Sequence, residues 1–236
     1  MSGRISNSFS KNEWLLIREK LKDKGLIDDN WKKAIAILYN RVTERYLDPL
    51  QILLSHELSY RGAGFSIATI ECCLIEFIAA LTEGKIFDKD KPKSAKSYFY
   101  DDSSRLYIRF LRTSDIFQNY FYAVKGEQPK FRADDFYKNV RCALIHEAQT
   151  KKNWSIKIYG KSKANDVNNK NLFEIDSIGN KILYRTALYL TLKEFFDNYC
   201  NMTLTENSNK GRIKRKYLAR KIDYILELPI DNKFWW

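Results

Sequence analysis

"SIATIECCLIEFIAAL", residues 66–81, is apolar on nearly every face. A run of this length exceeds an ordinary strand, and apolar residues all round mark a helix surrounded by protein. It closes near Gly84, a residue suited to a helix end. Glu71 and Glu76 interrupt it. With those two carboxylates the stretch falls short of a membrane span, so it reads as the central buried helix of a water-soluble chain. Carboxylates in such surroundings need partners.

The flanking segments carry the helical period. Ser10 and Glu13 are spaced as a capping box, and Trp14, Leu15, Ile17 and Leu21 follow, giving a helix over 10–24. "DDNWKKAIAILYNRVTERYL" is a longer helix capped near Asp29 or Asn30. Asp48 and Pro49 are placed as cap and first position of "PLQILLSHELSY", or else as a kink within one long helix. "KIFDKDKPKSAKSYFYDD" has no period and reads as an exposed connection. "SSRLYIRFLRTS" and "DIFQNYFYAV" are shorter helical pieces, and "FYKNVRCALIHEAQT" (136–150) is a helix capped by Asp134 or Asp135.

The period then changes. Trp154, Ile156 and Ile158 alternate with Ser155, Lys157 and Tyr159, as in a strand. "KSKANDVNNKN" reads as a polar turn and "LFEID" as the second strand of a hairpin. "NKILYRTALYLTLKEFFDNYC" is again a long helix, and a basic helix follows from about Lys210. The fold class is therefore mainly all-α, with a small β-hairpin near residues 153–176, in a single domain over 1–236.

Forty-one Lys and Arg against 29 Asp and Glu leave a net charge of +12, which favours polyanionic partners. Aromatic content is 14%, serving a packed core and, at some positions, stacking faces for bases. Cys72, Cys73, Cys142 and Cys200 lack CxxC spacing and sit in apolar segments, so they read as thiols of a reducing compartment. Two histidines far apart in sequence make no metal site, and no metal or cofactor is expected. No signal region opens the chain, which is expected to be cytoplasmic and without a membrane partner. His56, beside Glu57, suits a helix end better than a reactive site.

Arg141 and His146 stand in an otherwise apolar helix. Five residues apart, they lie about 140° apart around the axis and about 7.5 Å along it, so one copy of the helix does not stack them. Two copies meeting could bring one chain's Arg near the other's His. Within one chain, Glu71 or Glu76 is the natural partner of an Arg141 in apolar surroundings.

"RCALIH", residues 141–146, resembles the Arg-x4-His form of the Arg-x4–6-His motif of the HEPN superfamily, α-helical domains of toxins, antiphage defence proteins and the RNA-guided RNases of CRISPR systems. The resemblance implies a HEPN-like helical core over about 30–200, with the hairpin as an insertion at 151–176 and the basic C-terminal helix at about 210–228. It implies metal-independent RNA cleavage at a composite site of a homodimer, with RNA and an antitoxin or defence-system protein as partners. The residue types suit that chemistry. RNA supplies its own nucleophile, the 2′-OH. His146 would move the proton, since imidazole ordinarily titrates near neutrality, and Arg141 would stabilise charge on the phosphorane-like transition state. Glu71 or Glu76 would hold Arg141, and Asn139 could orient substrate or His146. Cys142 stands where active members often carry a polar residue. The alternative is a non-catalytic HEPN-like module that binds RNA or protein.

Two basic segments accompany the motif. From Lys151 to Lys170 there are six lysines and one acid, with Trp154 and Tyr159 interleaved. Lys151, Lys152, Trp154 and Lys157 would track and stack a strand. "KGRIKRKYLARK" offers Lys214 and Arg215 on a second surface.

Overall fold

The computed structural model describes residues 5–23, 27–56, 62–90, 97–124, 127–158 and 171–236. The polar turn at 161–170 lies outside the described residues, as do Tyr159 and Glu57. The chain is mostly helical, with a small amount of strand.

α1 (Lys11–Arg18) opens with the expected capping box, the Ser10 hydroxyl accepting from the Glu13 amide and the Glu13 carboxylate from the Ser10 amide. α2 (Asp29–Val42) is capped one residue earlier than expected, by Asp28, whose carboxylate accepts from the amides of Asn30 and Trp31. No break separates it from α3 (Asp48–Ser55), because a wider i→i+5 turn, Thr43–Leu47, joins the two. Pro49 has no N–H to give one turn back, and the widened turn lies just before it.

α4 (Ala63–Thr82) is the central apolar helix. Its 20 residues make it longer than the stretch 66–81 suggests, and long and apolar enough to cross a membrane, but 56% of its most apolar window is buried inside the protein. The Lys85 amide reaches back to the Ala80 carbonyl at 2.7 Å and Gly84 takes φ +62°, a left-handed helix end. The charged connection after it is not wholly irregular: β1 (Ile86–Phe87) and β2 (Phe99–Tyr100) pair in parallel. α5 (Ser103–Thr113) is capped by Asp102, and α6 (Gln118–Phe121) is a single turn.

The stretch around the motif begins at α7 (Ala133–Phe136), widens to an i→i+5 segment at Tyr137–Cys142, and ends as α8 (Ala143–Glu147). Arg132 takes the cap position, and neither Asp134 nor Asp135 caps. The expected hairpin is replaced by a three-stranded sheet in the order β3-β5-β4. β3 (Trp154–Lys157) runs parallel to β5 (Lys181–Tyr184), and β4 (Phe173–Ile175) runs antiparallel to β5. The central strand comes from "KILY", which periodicity assigns to the following helix. Asp176 forces the break: its carboxylate accepts from the amides of Ile178 and Asn180 in a turn that places Gly179 at φ +84°. α9 (Arg185–Thr205) starts directly after β5, and α10 (Asn209–Ile225) is capped by Ser208.

The chain forms two compact units with interleaved segments. The first holds residues 1–48, 78–101 and 196–236. Its core centres on Asp223, fully buried, whose two oxygens accept from the indole N–H groups of Trp14, Trp235 and Trp236 and from the Arg18 guanidinium. The second holds residues 49–77 and 102–195. Phe173 anchors its aromatic core, with ring centroids 5.1 Å from Phe121, 5.5 Å from Phe136 and 6.2 Å from Trp154.

Candidate functional site around Arg141 and Asp135

Arg141 lies in the widened turn, where side chains no longer follow the regular 100° step. Its guanidinium donates to Glu76 at 2.7 Å, with side-chain exposures of 19% and 17%. The Tyr137 ring lies 5.4 Å from the guanidinium carbon. Burial pushes the Tyr137 phenol up to about 12 despite the neighbouring Arg141 cation. Burial opposes the Arg141 charge, but the Glu76 hydrogen bond and field outweigh it and raise its value further. Cys142 is half-buried, its thiol against Arg141 and Tyr137.

His146 is exposed on the last turn, between Ile145, 41% exposed, and Glu147. Among the described residues nothing hydrogen-bonds its ring. Arg141 thus turns inward to a carboxylate while His146 faces solvent. His56 sits at the end of α3, its Nδ1 near the Ile52 carbonyl and the Ser55 hydroxyl.

Of the two carboxylates offered to Arg141, Glu76 takes it. Glu71 does not: it is fully buried and neither oxygen has a hydrogen-bond partner. Burial raises its pKa well above the carboxylate range, opposed by the Arg185 cation. The five-residue spacing places the two carboxylates on different sides of α4, so only one reaches Arg141.

Asn139 is buried and donates to Asp135 at 2.7 Å. Asp135 also accepts from Trp154 Nε1 at 2.8 Å and Lys181 Nζ at 2.6 Å. Burial would raise the Asp135 pKa, but hydrogen bonds from Lys181 and Trp154 hold it below the usual carboxylate range. Trp154 is therefore no stacking platform: it is 5% exposed, its ring among Phe131, Phe136 and Phe173 and its N–H committed. The alternation that suggests a strand also turns this residue into the core. Asp135 was expected only as a cap; its i,i+4 spacing to Asn139 is the sequence signal of its real bond.

The turn after α8 bends sharply. Ala148, Lys152 and Asn153 all take positive φ, of 53°, 52° and 61°. The Lys151 amide bonds the Asn139 carbonyl at 2.9 Å, and the Lys181 amide bonds the Asn153 carbonyl at 2.8 Å. Lys151 and Lys152 are exposed, Lys151 beside Glu147 at 3.2 Å, and Lys157 is half-buried. Together with the helix start, this turn borders an open cleft of about 600 Å³.

The second basic surface is largely consumed within its own unit. Arg215 is 4% exposed and donates to the carbonyls of Thr203 and Glu206 at the end of α9, so it is no RNA contact. Arg212 and Lys216 pair with Asp23, and Arg220 donates to the carbonyls of Trp235 and Gly84. Lys214 is half-buried over the Tyr199 ring at 5.8 Å. Orphan carbonyls at a helix end draw forked guanidinium groups inward. A charge count along α10 does not register that demand.

Among the described residues no group of three His, Cys, Asp or Glu side chains could hold a metal ion. Compared with known proteins, the chain matches no family model, no curated protein and no solved structure.

Proposed function

We propose that the protein is a metal-independent endoribonuclease of HEPN type, used in antiphage defence or as a toxin in the cytoplasm, and active as a homodimer. The observation that supports this is the placing of the two motif residues: Arg141 oriented by Glu76 at 2.7 Å, and His146 exposed and unheld at the end of the same helical stretch. An Arg fixed by a carboxylate keeps its charge and holds its guanidinium in one orientation. An exposed imidazole beside the exposed Ile145 suits an interface with a second copy. In that dimer His146 of one chain would accept the 2′-OH proton or protonate the leaving 5′ oxygen, and Arg141 of the other would bind the phosphoryl oxygens.

The experiment is RNA cleavage in EDTA by the purified chain and by Arg141→Ala and His146→Ala. The expected result is cleavage to 2′,3′-cyclic phosphate ends by the wild type alone, with activity restored when the two inactive variants are mixed. Unchanged cleavage by both variants would overturn the reading. Tight RNA binding without cleavage by the wild type would instead identify a non-catalytic binding module.

A further inference from the structure

We infer that the cleft at the start of the motif helix is a binding site for a nucleoside phosphate, separate from Arg141 and His146 and independent of any cleavage. Its volume, about 600 Å³, is that of a small-molecule site. Lys130, Arg132, Lys138, Lys152 and Lys181 line it against only Asp134 and Asp135, a surplus of three positive charges.

The internal pairings sharpen that surplus. Arg132 pairs with Asp134 at 2.7 Å and Lys181 with Asp135 at 2.6 Å, which accounts for both carboxylates. Lys130, Lys138 and Lys152 remain exposed, and among the described residues none has an ion-pair partner. Three like charges around one concavity repel each other, a cost that a bound anion removes.

The wall is also built rigidly. Lys152 and Asn153 are consecutive non-glycine residues in the left-handed region. That conformation costs energy and persists only where the surroundings hold it. Here the adjacent amide and carbonyl bonds to Asn139 and Lys181 hold it, and Asn139 and Lys181 are in turn fixed on Asp135. Lys152 is thus presented from a fixed turn and Lys138 from the helical segment bonded to it, both lining one space. The several negative charges of a polyphosphate chain, or of successive phosphodiesters, match three unpaired ammonium groups. The phosphate could belong to a strand of RNA or to a free nucleotide, and the test separates these.

Binding is measured by fluorescence polarisation with a labelled 2′-O-methyl oligoribonucleotide, which cannot be cleaved, and by calorimetry with adenosine triphosphate. Wild type is compared with Lys138→Ala/Lys152→Ala and with Lys130→Ala at several salt concentrations. The altered side chains are exposed, and thermal melting checks that the variants fold. Binding of the oligoribonucleotide weakened at least tenfold in the double variant, with the salt slope reduced by about 1.4, supports the site with a strand as ligand. A tenfold loss for adenosine triphosphate alone supports it with a free nucleotide as ligand. Equal affinities in wild type and double variant, or no binding of either probe by wild type at low salt, overturns it. Cleavage that survives in Arg141→Ala and His146→Ala defeats the nuclease reading and leaves this assignment untouched.

Discussion

Removing the Glu76 carboxylate tests what orients Arg141. At an effective dielectric of about 20, two unit charges about 4 Å apart attract by about 4 kcal/mol before desolvation is counted. The side chains are 19% and 17% exposed, so the pair lies between two limits. Exposed pairs couple by about 0.2–1 kcal/mol, and breaking a fully buried pair costs about 3–5 kcal/mol. A double-mutant cycle of Glu76→Ala and Arg141→Ala, followed by urea unfolding, is therefore expected to give a coupling energy of about 1–2 kcal/mol. Glu76→Gln keeps the shape and loses the charge. If Glu76 acts by positioning Arg141, RNA cleavage by Glu76→Gln falls about tenfold, the equivalent of about 1.4 kcal/mol in the barrier. The loss should appear in kcat with KM little changed, because the charge that binds the ground state is still present. A coupling under about 0.3 kcal/mol, or wild-type kcat in Glu76→Gln, refutes the positioning role.

Glu71→Gln is expected to stabilise the protein at neutral pH. A carboxyl with its folded value raised contributes most below its unfolded value near 4.5 and loses that contribution as pH rises through the folded value. The variant should melt higher than wild type at pH 7 and lose the decline between mildly acidic and neutral pH, as calorimetry would show. Asp223→Ala strands the buried Arg18 guanidinium and three indole N–H groups. It is expected to cost about 3–5 kcal/mol, lowering Tm on the order of 10 °C, with Asp223→Asn milder because it keeps an acceptor. Gly84→Ala is expected to destabilise as well, since an added Cβ meets the Tyr217 ring at 2.2 Å and φ is +62°; a melt within 1 °C of wild type would contradict that account.

Much of the local structure was legible. The Ser10–Glu13 box, the apolar α4 and its end at Gly84 follow from chemistry within a few residues, and the chain folds them as read. The sheet was harder. "KILY" continues smoothly into a helical pattern, and only pairing with β3 on one side and β4 on the other makes it a strand. Strand pairing joins residues far apart in sequence, so periodicity cannot score it. The cleft lay equally out of reach, because Lys130, Lys138, Lys152 and Lys181 come from separate segments.

For the motif, the sequence by itself determined which residue types are present: one cationic side chain, one imidazole, and two carboxylates on a neighbouring apolar helix. Only the tertiary structure decided their use. It gave Arg141 to Glu76, left Glu71 buried without a hydrogen-bond partner, and turned His146 to solvent. It also drew Trp154 and Arg215 inward from the surfaces their composition suggests. The reason is physical. A buried polar atom pairs only where the fold brings a partner within about 3 Å, and that meeting depends on the packing of distant segments.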